Sequence, residues 1–439
     1  MWSDTCFAIA FDKDNRYGAN AIIAAIESSD LKIPVFRIPL YRTPHVIQSI
    51  ADLQKHCRRL VLGFSFMTSQ LPMVMELVRL VKLYIPNALL VAGGPHATGD
   101  PLGTLLKLGF DVVVYGEGEE TIIELLRAYS ESGEFHVCGT AYIDGGRVIF
   151  RRRSRYVDLN LYPPFPYWRG IVNPIEIMRG CSSACYFCQV TYSFGMPRYR
   201  SVEKVVEYAR ISLERGLKDL RFIAPNSLGY GSRDGIKPNH DALYSLLSNL
   251  HALAKQYGGR IFFGTFPSEV RPDSVDEDSA KILKAFASNR RVIVGAQSGS
   301  NNVLKLIHRM HTVEDVENTI DTLLRYGFGV DIDLIFGFPF ETEEDFEETV
   351  RFMQRYVDRD VRFHLHTFMP LPGTPLSDAE VKLLDNEKKK ILSKFIGVGK
   401  AYGYWMEQER IAMLIDDLRR KRIIYSFRDN MRSFRVSTC

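Results

Sequence analysis

Three of the seven cysteines lie close together, and their spacing is the strongest chemical signal in the sequence. Cys181, Cys185 and Cys188 follow a C-x3-C-x2-C pattern directly after a strand-like segment at 174–179. Three thiolates on one short loop can each bind one iron of a cubane cluster, which leaves the fourth iron open to substrate. A zinc site would want a fourth Cys or His at similar spacing, and residues 189–194 supply none. The spacing therefore predicts a 4Fe-4S cluster with one open iron.

The segment that contains these cysteines resembles the signature of radical SAM enzymes, C-x3-C-x-aromatic-C after the first strand of a partial barrel. Cys181, Cys185 and Cys188 match the three ligand positions, and Phe187 takes the aromatic place. The resemblance implies that the amino and carboxylate groups of S-adenosylmethionine (SAM) chelate the open iron. It also implies that an electron from the cluster cleaves SAM to a 5′-deoxyadenosyl radical.

Several later strand ends resemble SAM-binding segments of the same superfamily. Gln297 replaces the glutamate that is usual in the G-x-E-S-G-S stretch, which removes a charge, and Phe340 stands where G-x-P-G-E-T has glycine. Phe368 begins FMPLPGTP, which is similar to the segment that flanks adenine. The resemblance implies that the residues in contact with SAM are Asn226, Ser268, Glu269, Gln297, Ser298 and Phe368.

Some residues in these segments also fit structural roles. Thr342 with Asp345 is a variant of the capping box and would open a helix at 343. His364 and His366 alternate on one face of a strand, so they could line the barrel or pack in its core.

The elements that must position these residues alternate between strands and helices. The first alternation predicts βαβ units and a Rossmann-like doubly wound domain. A second alternation begins at Pro174 and holds six strand-like segments, too few for a closed eight-stranded barrel. We therefore expect a partial (βα)6 barrel. The predicted strands lie at 7–12, 32–37, 60–66, 88–94, 111–116, 174–179, 219–224, 260–266, 291–296, 329–337 and 362–368.

Small residues follow two strand-like segments of the first domain, and these segments resemble the cobalamin-binding domain that precedes many radical SAM barrels. Ser65 lies in LGFSFMTS, and Gly93 and Gly94 lie in VAGGPHATGD. Small residues at strand ends let a ligand approach the backbone closely, in the crevice where doubly wound folds bind ligands. The resemblance implies that these three residues bind cobalamin. A domain used only for packing or substrate is the alternative.

The motif whose histidine ligates cobalt in that family, Asp-x-His-x-x-Gly, is missing. Of the three histidines in the first domain, only His96 follows a strand end. We therefore expect a corrinoid with its lower base displaced and no histidine on cobalt.

The predicted domain organisation has four parts. Residues 1–125 form the cobalamin-binding-like domain, and 126–170 form a hairpin and a proline-rich linker. Residues 171–375 form the radical SAM partial barrel. A small helical C-terminal region with a basic tail occupies 376–439.

Composition limits the partners and the location. Hydrophobic residues make up 46% and the net charge is +4, so the chain is globular and does not capture nucleic acid by its overall charge. No apolar run is long enough to span a bilayer, and the first residues do not resemble a signal peptide. An odd number of cysteines in such a chain argues against a disulfide framework. We expect a cytoplasmic protein whose scattered cysteines are buried and unpaired.

The basic tail has two interpretations. Arg419–Arg422 with nearby aromatic residues could contact RNA. Basic residues at the C-terminal end of a solvated helix are the more common explanation.

These observations predict a cobalamin-dependent radical SAM methyltransferase that acts at an unactivated carbon. One alternative is methylthio transfer to tRNA, although that family usually has further N-terminal cluster cysteines and a terminal RNA-binding β-barrel. The other is a non-methylating radical SAM reaction with a vestigial cobalamin domain. The expected partners are a small-molecule, lipid or peptide substrate and an electron donor such as flavodoxin or ferredoxin. The sequence does not assign catalytic residues.

Overall fold

Residues 4–40 and 43–439 are described by the structure, which is a computed structural model. Among these residues, no helix has both the length and the apolar composition that crossing a bilayer requires. The chain divides into two units. Unit 1 comprises Met1–Ile171, Leu371–Asp378 and Asp417–Cys439, and unit 2 comprises Val172–Pro370 and Ala379–Asp416.

Strands and helices alternate through the first part of unit 1, as the sequence predicts. In chain order the elements are β1 (Thr5–Phe11), α1 (Arg16–Ser28), β2 (Val35–Pro39), α2 (Thr43–Gln54), β3 (Arg59–Ser65), α3 (Leu71–Tyr84), β4 (Leu89–Gly93), α4 (Gly94–Gly99), α5 (Pro101–Leu106), β5 (Val112–Val114), α6 (Glu119–Ser132), β6 (Thr140–Asp144) and β7 (Arg147–Arg152).

A second alternation fills unit 2, and the last two elements return to unit 1. In chain order the elements are β8 (Ile175–Glu176), β9 (Met178–Arg179), α7 (Gln189–Phe194), β10 (Arg198–Tyr199), α8 (Val202–Glu214), β11 (Asp219–Ile223), α9 (His240–Gln256), β12 (Arg260–Phe262), α10 (Glu277–Phe286), β13 (Arg291–Gln297), α11 (Asn301–Leu306), α12 (Val313–Arg325), β14 (Gly329–Phe336), α13 (Glu343–Arg355), β15 (Val361–Thr367), α14 (Asn386–Gly397), β16 (Ala401–Tyr402), α15 (Trp405–Arg420), α16 (Phe427–Ser433) and β17 (Phe434–Thr438).

The sheet of unit 1 has the strand order β2-β1-β3-β4-β5-β6-β7-β17. Strands β1 to β5 are parallel and β6 is antiparallel to both neighbours. Ile23 of α1 and Leu125 of α6 pack with Val61 and Val91 of the strands in one buried cluster. The chain changes direction between β1 and β3, and open sheets of this kind bind ligands at such a switch point. The predicted Rossmann-like domain is confirmed.

Unit 2 is built on the six strands β8, β11, β12, β13, β14 and β15. Hydrogen-bonded parallel pairs join β8, β11 and β12 on one side and β13, β14 and β15 on the other. The two groups meet where Ile293 N–H donates to Gly264 O at 2.8 Å and Val270 bridges to Val294. The predicted partial (βα)6 barrel is therefore confirmed.

Two predicted boundaries differ from the structure. Segment 126–170 is not a separate linker, because its hairpin forms β6 and β7 inside the unit 1 sheet. Gly145 and Gly146 have φ values of 53° and 76°, as its tight turn requires. Region 376–439 is also divided: Ala379–Asp416 belongs to unit 2, whereas β17 pairs with β7. Pairing between strands so far apart in the chain leaves no local pattern.

Four of the seven cysteines form two disulfides. Cys6 pairs with Cys57 at a Cα–Cα distance of 5.8 Å, and Cys138 pairs with Cys439 at 6.0 Å. The prediction that the scattered cysteines are unpaired is therefore wrong. Cys6 lies on β1 and Cys57 just before β3, the neighbouring strand, so sheet formation brings these two thiols together. The paired cysteines are 51 and 301 residues apart in the chain, so no local sequence pattern indicates either disulfide.

The disulfides predict how many thiols react. Iron-free protein alkylated in denaturant without reductant should be modified at the three free cysteines, and all seven should react after reduction. Since a bond between cysteines 51 residues apart constrains the unfolded chain, Cys6→Ala with Cys57→Ala should lower the free energy of unfolding by about 3–4 kcal/mol. Mass spectrometry counts the thiols and urea titration measures the stability. Alkylation of Cys6 in unreduced protein would contradict the assignment.

Candidate functional site

The cysteine cluster lies on the loop between β9 and α7 of unit 2. Cys185 is buried, Cys181 and Cys188 are partly buried, and all three thiols are free. Helix α7 holds the loop, because Thr191 Oγ1 donates to Cys181 O at 2.7 Å and accepts from Ala184 N–H at 3.2 Å. The loop has no regular secondary structure of its own, so these bonds fix where its sulfur atoms lie.

Gly180 is required where the chain enters this loop. Its φ is +84°, and a Cβ there would lie 2.3 Å from Met196 O. Only glycine combines that backbone conformation with so close an approach. The position of Cys181, the next residue, therefore depends on glycine before it.

Hydrogen-bond donors point at two of the three sulfur atoms. Arg309 Nη1 donates to Cys185 Sγ at 3.3 Å, and Ser183 N–H donates to Cys181 Sγ at 3.5 Å. Donors at these positions would hydrogen-bond to the sulfur ligands of a bound cluster. Burial, reinforced by the other two sulfur atoms, raises the pKa of the Cys188 thiol to about 12. Since a metal ligand must be a thiolate, binding of iron would replace the proton of Cys188.

The number of thiols fits a cluster better than a single ion. A structural zinc site takes four Cys or His ligands, and residues 189–194 contain neither type. Three free thiols on one loop match the donor set of a cubane cluster with one open iron.

The sequence did not predict the two residues after α11 that support this loop. His308 Nδ1 lies 3.2 Å from Ser183 O and 3.3 Å from Ala184 O, so that nitrogen carries the proton and donates it. The His308 ring stacks on Tyr186 at 4.9 Å. Arg309 follows directly and reaches Cys185. Their distance in sequence from the cysteines left no spacing pattern to find.

Asn226 is fully buried and hydrogen-bonded at both atoms of its amide. Its Nδ2 donates to Gly235 O at 2.9 Å, and its Oδ1 accepts from Arg271 N–H at 3.1 Å and Ser274 Oγ at 3.0 Å. The amide is hydrogen-bonded within the protein, and its contact with SAM stays a prediction. Asn226 ties together three loops at the strand ends.

Ser268 and Ser298 also have internal partners. Ser268 Oγ donates to Thr265 O at 3.0 Å, whereas Ser298 Oγ accepts from Ser300 N–H at 3.1 Å. Both side chains are buried. These bonds shape turns at strand ends, and the SAM contacts of both hydroxyls stay predictions.

Glu269 and Gln297, both predicted to bind SAM, lie close to Arg309. Burial raises the pKa of Glu269 to about 7, and the nearby charge of Asp333 adds to this while Arg309 opposes it. Gln297 has a φ of +80° and places its Nε2 beside Gly295, whose carbonyl accepts a bond from Arg309. The structure thus gathers two of the predicted SAM-binding residues near the cluster loop.

Aromatic rings connect the cluster loop to the end of β15. Phe338 lies 6.0 Å from Phe187 and 5.1 Å from Phe368, and Phe340 stacks on it at 5.7 Å. Phe340, which stands where glycine was expected, completes this wall. Phe368 is buried within the wall, where it can exclude water from the reacting groups.

Two structural alternatives from the sequence are now resolved. Thr342 caps α13 with Asp345 in a capping box, as predicted. On β15, buried Phe363 packs against Phe352 of α13, whereas His364 and His366 point to the opposite, inner side of the barrel. These histidines line the barrel.

In unit 1, the three residues predicted to bind cobalamin meet at the ends of β3 and β4. Ser65 pairs with Gly93 in the sheet register. Gly94 has a φ of +86°, and a Cβ there would lie 2.8 Å from Phe66 N. A Cβ on Gly93 would meet only Val114 O at 3.9 Å, so the space beside it is open. This crevice fits a ligand that approaches the backbone closely.

The loop after β1 contributes side chains that the sequence did not reveal. Asn15 Nδ2 donates to Ser65 O, and Gln70 Nε2 donates to Asp12 Oδ2 at 2.6 Å. These residues surround the β1–β3 switch point, where doubly wound folds bind ligands. Isolated polar residues of this kind carry no motif.

His96 is used in packing. Its ring is buried against Phe66, and Nδ1 lies 3.1 Å from Thr68 Oγ1. Burial lowers its pKa to about 3. The structure therefore gives no exposed imidazole at the one histidine that follows a strand end.

Comparisons with known proteins match both halves of the chain. The family model for the Radical SAM superfamily matches residues 175–353, and that for the B12 binding domain matches 17–126. An uncharacterized protein of Methanocaldococcus jannaschii is 27% identical over 374 residues, which span 75% of this chain and 72% of that protein. A tRNA-2-methylthio-N(6)-dimethylallyladenosine synthase of Buchnera aphidicola is 30% identical over 326 residues, 71% of this chain and 67% of the synthase.

A solved structure has a similar fold. The radical S-adenosylmethionine methyltransferase TsrM of Kitasatospora setae aligns with a TM-score of 0.65 at 17% identity. The alignment covers 85% of this chain and 74% of TsrM. At that identity the similarity establishes the fold.

Arg309 should set the reduction potential of a cluster on the three cysteines. Replacing Arg309 with Gln removes a positive charge and a hydrogen bond from Cys185 Sγ, so adding an electron becomes harder and the midpoint potential should fall. Redox titration followed by electron paramagnetic resonance measures it. Lys305→Gln on α11 removes the same charge from an exposed side chain and should leave the potential unchanged. An equal potential in wild type and Arg309→Gln would contradict this role.

Proposed function

Because the chain belongs to the radical SAM superfamily and carries a B12 binding domain, we propose that it is a cobalamin-dependent methyltransferase that acts at an unactivated carbon. One observation carries the proposal. Of the seven cysteines, the three on the loop after the first barrel strand are the free ones. That set is what one cluster with an open iron requires.

The matched families confirm the predicted cofactors, a 4Fe-4S cluster, SAM and cobalamin. Bound together, cluster and SAM supply a 5′-deoxyadenosyl radical and cobalamin supplies a carrier for the methyl group. Cys181, Cys185 and Cys188 would hold the cluster. The crevice beside Gly93 and Ser65 would hold cobalamin.

Other residues of the barrel would prepare SAM and protect the reaction. Arg309 offsets the charge of the Cys185 thiolate. Glu269, with a pKa of about 7, holds a proton in part of the molecules at neutral pH and can then donate it to a SAM hydroxyl or carboxylate oxygen. The wall around Phe338 excludes water, which a carbon radical reaction benefits from.

Methylthio transfer to tRNA is the second candidate, and the identity to the Buchnera aphidicola synthase favours it. A second cluster would need further free cysteines. The four cysteines outside the loop are instead paired as Cys6–Cys57 and Cys138–Cys439. This pairing supports methyl transfer over methylthio transfer.

A non-methylating radical reaction is the third candidate. In either radical reaction, the substrate would be a small molecule, lipid or peptide.

Product analysis tests the proposal. Reconstituted protein with SAM, reductant and hydroxocobalamin should form 5′-deoxyadenosine and S-adenosylhomocysteine, and the latter only when cobalamin is present. Replacing Cys181, Cys185 and Cys188 with Ala should abolish 5′-deoxyadenosine, whereas the Cys6→Ala, Cys57→Ala control should retain it. Liquid chromatography with mass spectrometry measures both products. If 5′-deoxyadenosine forms but S-adenosylhomocysteine never does, the reaction is not a methylation.

Labelled tRNA distinguishes the second candidate. With methyl-labelled SAM and total tRNA, methylthio transfer would place the label on tRNA together with a new sulfur atom. We expect no label in the tRNA fraction, and incorporation there would replace the methyltransferase proposal.

Gly93→Leu should block cobalamin binding without unfolding unit 1. The backbone of Gly93 is extended and open space surrounds its Cα, so the fold tolerates a side chain that fills the crevice. Affinity for hydroxocobalamin should fall by about 10-fold or more, since the ligand must approach the backbone there. Equilibrium dialysis measures the affinity. Gly397→Leu on α14 adds the same atoms where nothing lies within 4 Å and should bind normally.

A further inference from the structure

A second group of metal-ligating side chains lies inside the partial barrel, apart from the cysteines. Asp333 is on β14, and His364 and His366 are on the neighbouring strand β15. Asp333 and His364 pair directly in the sheet register. The three side chains therefore project from one face of two adjacent strands, toward the barrel interior.

Three donor atoms of this group converge. His364 Nδ1 lies 2.9 Å from Asp333 Oδ1 and 3.1 Å from His366 Nε2, and His366 Nε2 lies 3.7 Å from Asp333 Oδ1. Three atoms in a triangle of this size can all lie about 2.1 Å from one ion, the usual distance for zinc bound by nitrogen and oxygen. Two histidines and one carboxylate are also a frequent ligand set for catalytic divalent metals.

We propose that Asp333, His364 and His366 form a mononuclear site for a divalent transition-metal ion of the zinc type. Three protein ligands leave at least one coordination position open. The side chain of Asp333 is 6% exposed, whereas those of His364 and His366 are 29% and 26% exposed, so the open position faces the barrel interior. An oxygen or nitrogen atom of the substrate would bind there. The site stands on its own geometry, whether or not the reaction is a methyl transfer.

The surroundings hold the ligands in place. Asp333 lies close enough to the buried carboxyl group of Glu269 for the two to interact, and Arg309 offsets part of that charge. The His364 ring stacks on Tyr402 at 4.7 Å, which fixes the direction of its Nδ1. A fixed ring and a buried carboxylate are features that preorganise a metal site.

Gln408 shows which proton has to move when the ion binds. Its Oε1 accepts from Thr367 N–H at 2.8 Å, so its Nε2 faces His366 Nδ1 at 3.1 Å and donates to it. In this arrangement His366 carries its proton on Nε2, which lies 3.7 Å from Asp333 Oδ1 and is too far to donate to it, whereas His364 Nδ1 donates to Asp333 at 2.9 Å. A metal ion bound to Nε2 requires this proton to move to Nδ1, which leaves the Gln408 amide opposite an N–H group. Gln408 therefore weakens the site, and a carboxylate at this position would strengthen it.

Equilibrium dialysis against Zn²⁺ tests the site in protein whose cluster has been reconstituted, so that the cysteines are occupied. Wild type should bind one Zn²⁺ per chain beyond the iron of the cluster. Asp333→Asn and His366→Gln each remove a ligand and should weaken binding by more than about 100-fold. Elemental analysis by mass spectrometry reports zinc and iron separately, so failure of the cluster is visible as lost iron.

Two further variants, Gln408→Glu and His240→Gln, test the site even if Asp333→Asn does not fold. Gln408→Glu should tighten Zn²⁺ binding by about 10-fold, because its carboxylate accepts from the Nδ1–H that His366 presents when metal-bound. The surface pair of His240 and Asp276, 2.8 Å apart, serves as a control because it has the same residue types without a third ligand. His240→Gln should leave the affinity for Zn²⁺ unchanged. Absence of Zn²⁺ binding by wild type, or equal binding by wild type, His366→Gln and Gln408→Glu, would overturn the proposal. The three side chains would then form a hydrogen-bond network only.

Discussion

Three sulfur atoms on an irregular loop must face one point, and the rest of unit 2 is arranged around that constraint. A loop lacks the repeating backbone bonds that hold a helix or strand, so its polar groups need partners elsewhere. Thr191 of α7 binds the loop from one side and His308 from the other. Arg309 then connects Cys185 to the end of β13. The strands supply rigidity, and these few bonds transmit it to the sulfur atoms.

Short-range pattern was sufficient to predict the framework. Alternating apolar segments located the parallel strands β1 to β5 and the six barrel strands, but not β16 or β17, and the capping pair of Thr342 and Asp345 located the start of α13. The spacing of the cysteines identified the metal-binding loop. In each case, the residues that cooperate lie within a few positions, so their relation is visible in the sequence.

The features that the sequence did not predict depend on contacts between distant segments of the chain. Asn226 follows a strand end, and its amide oxygen accepts hydrogen bonds from Arg271 and Ser274, which lie more than 40 residues later in the chain. The Cys138–Cys439 bond and the β7–β17 pairing join the middle of the chain to its last residues. Residue type shows what a side chain can bind, but only the fold decides which partner reaches it first.

The charges inside the barrel point to what the cofactors contribute beyond reactivity. Three thiolates, Asp333 and Glu269 would place several negative charges in a buried space where Arg309 and Arg271 are the nearby cations. Buried charges of one sign are costly unless they are paired. The iron of a cluster and the sulfonium of SAM are positive, and a divalent ion at Asp333 would add to them. Binding of the cluster and of SAM should therefore stabilise the folded barrel as well as supply its reactive groups. The positive charges that take part in the reaction also offset the negative charges of the barrel interior.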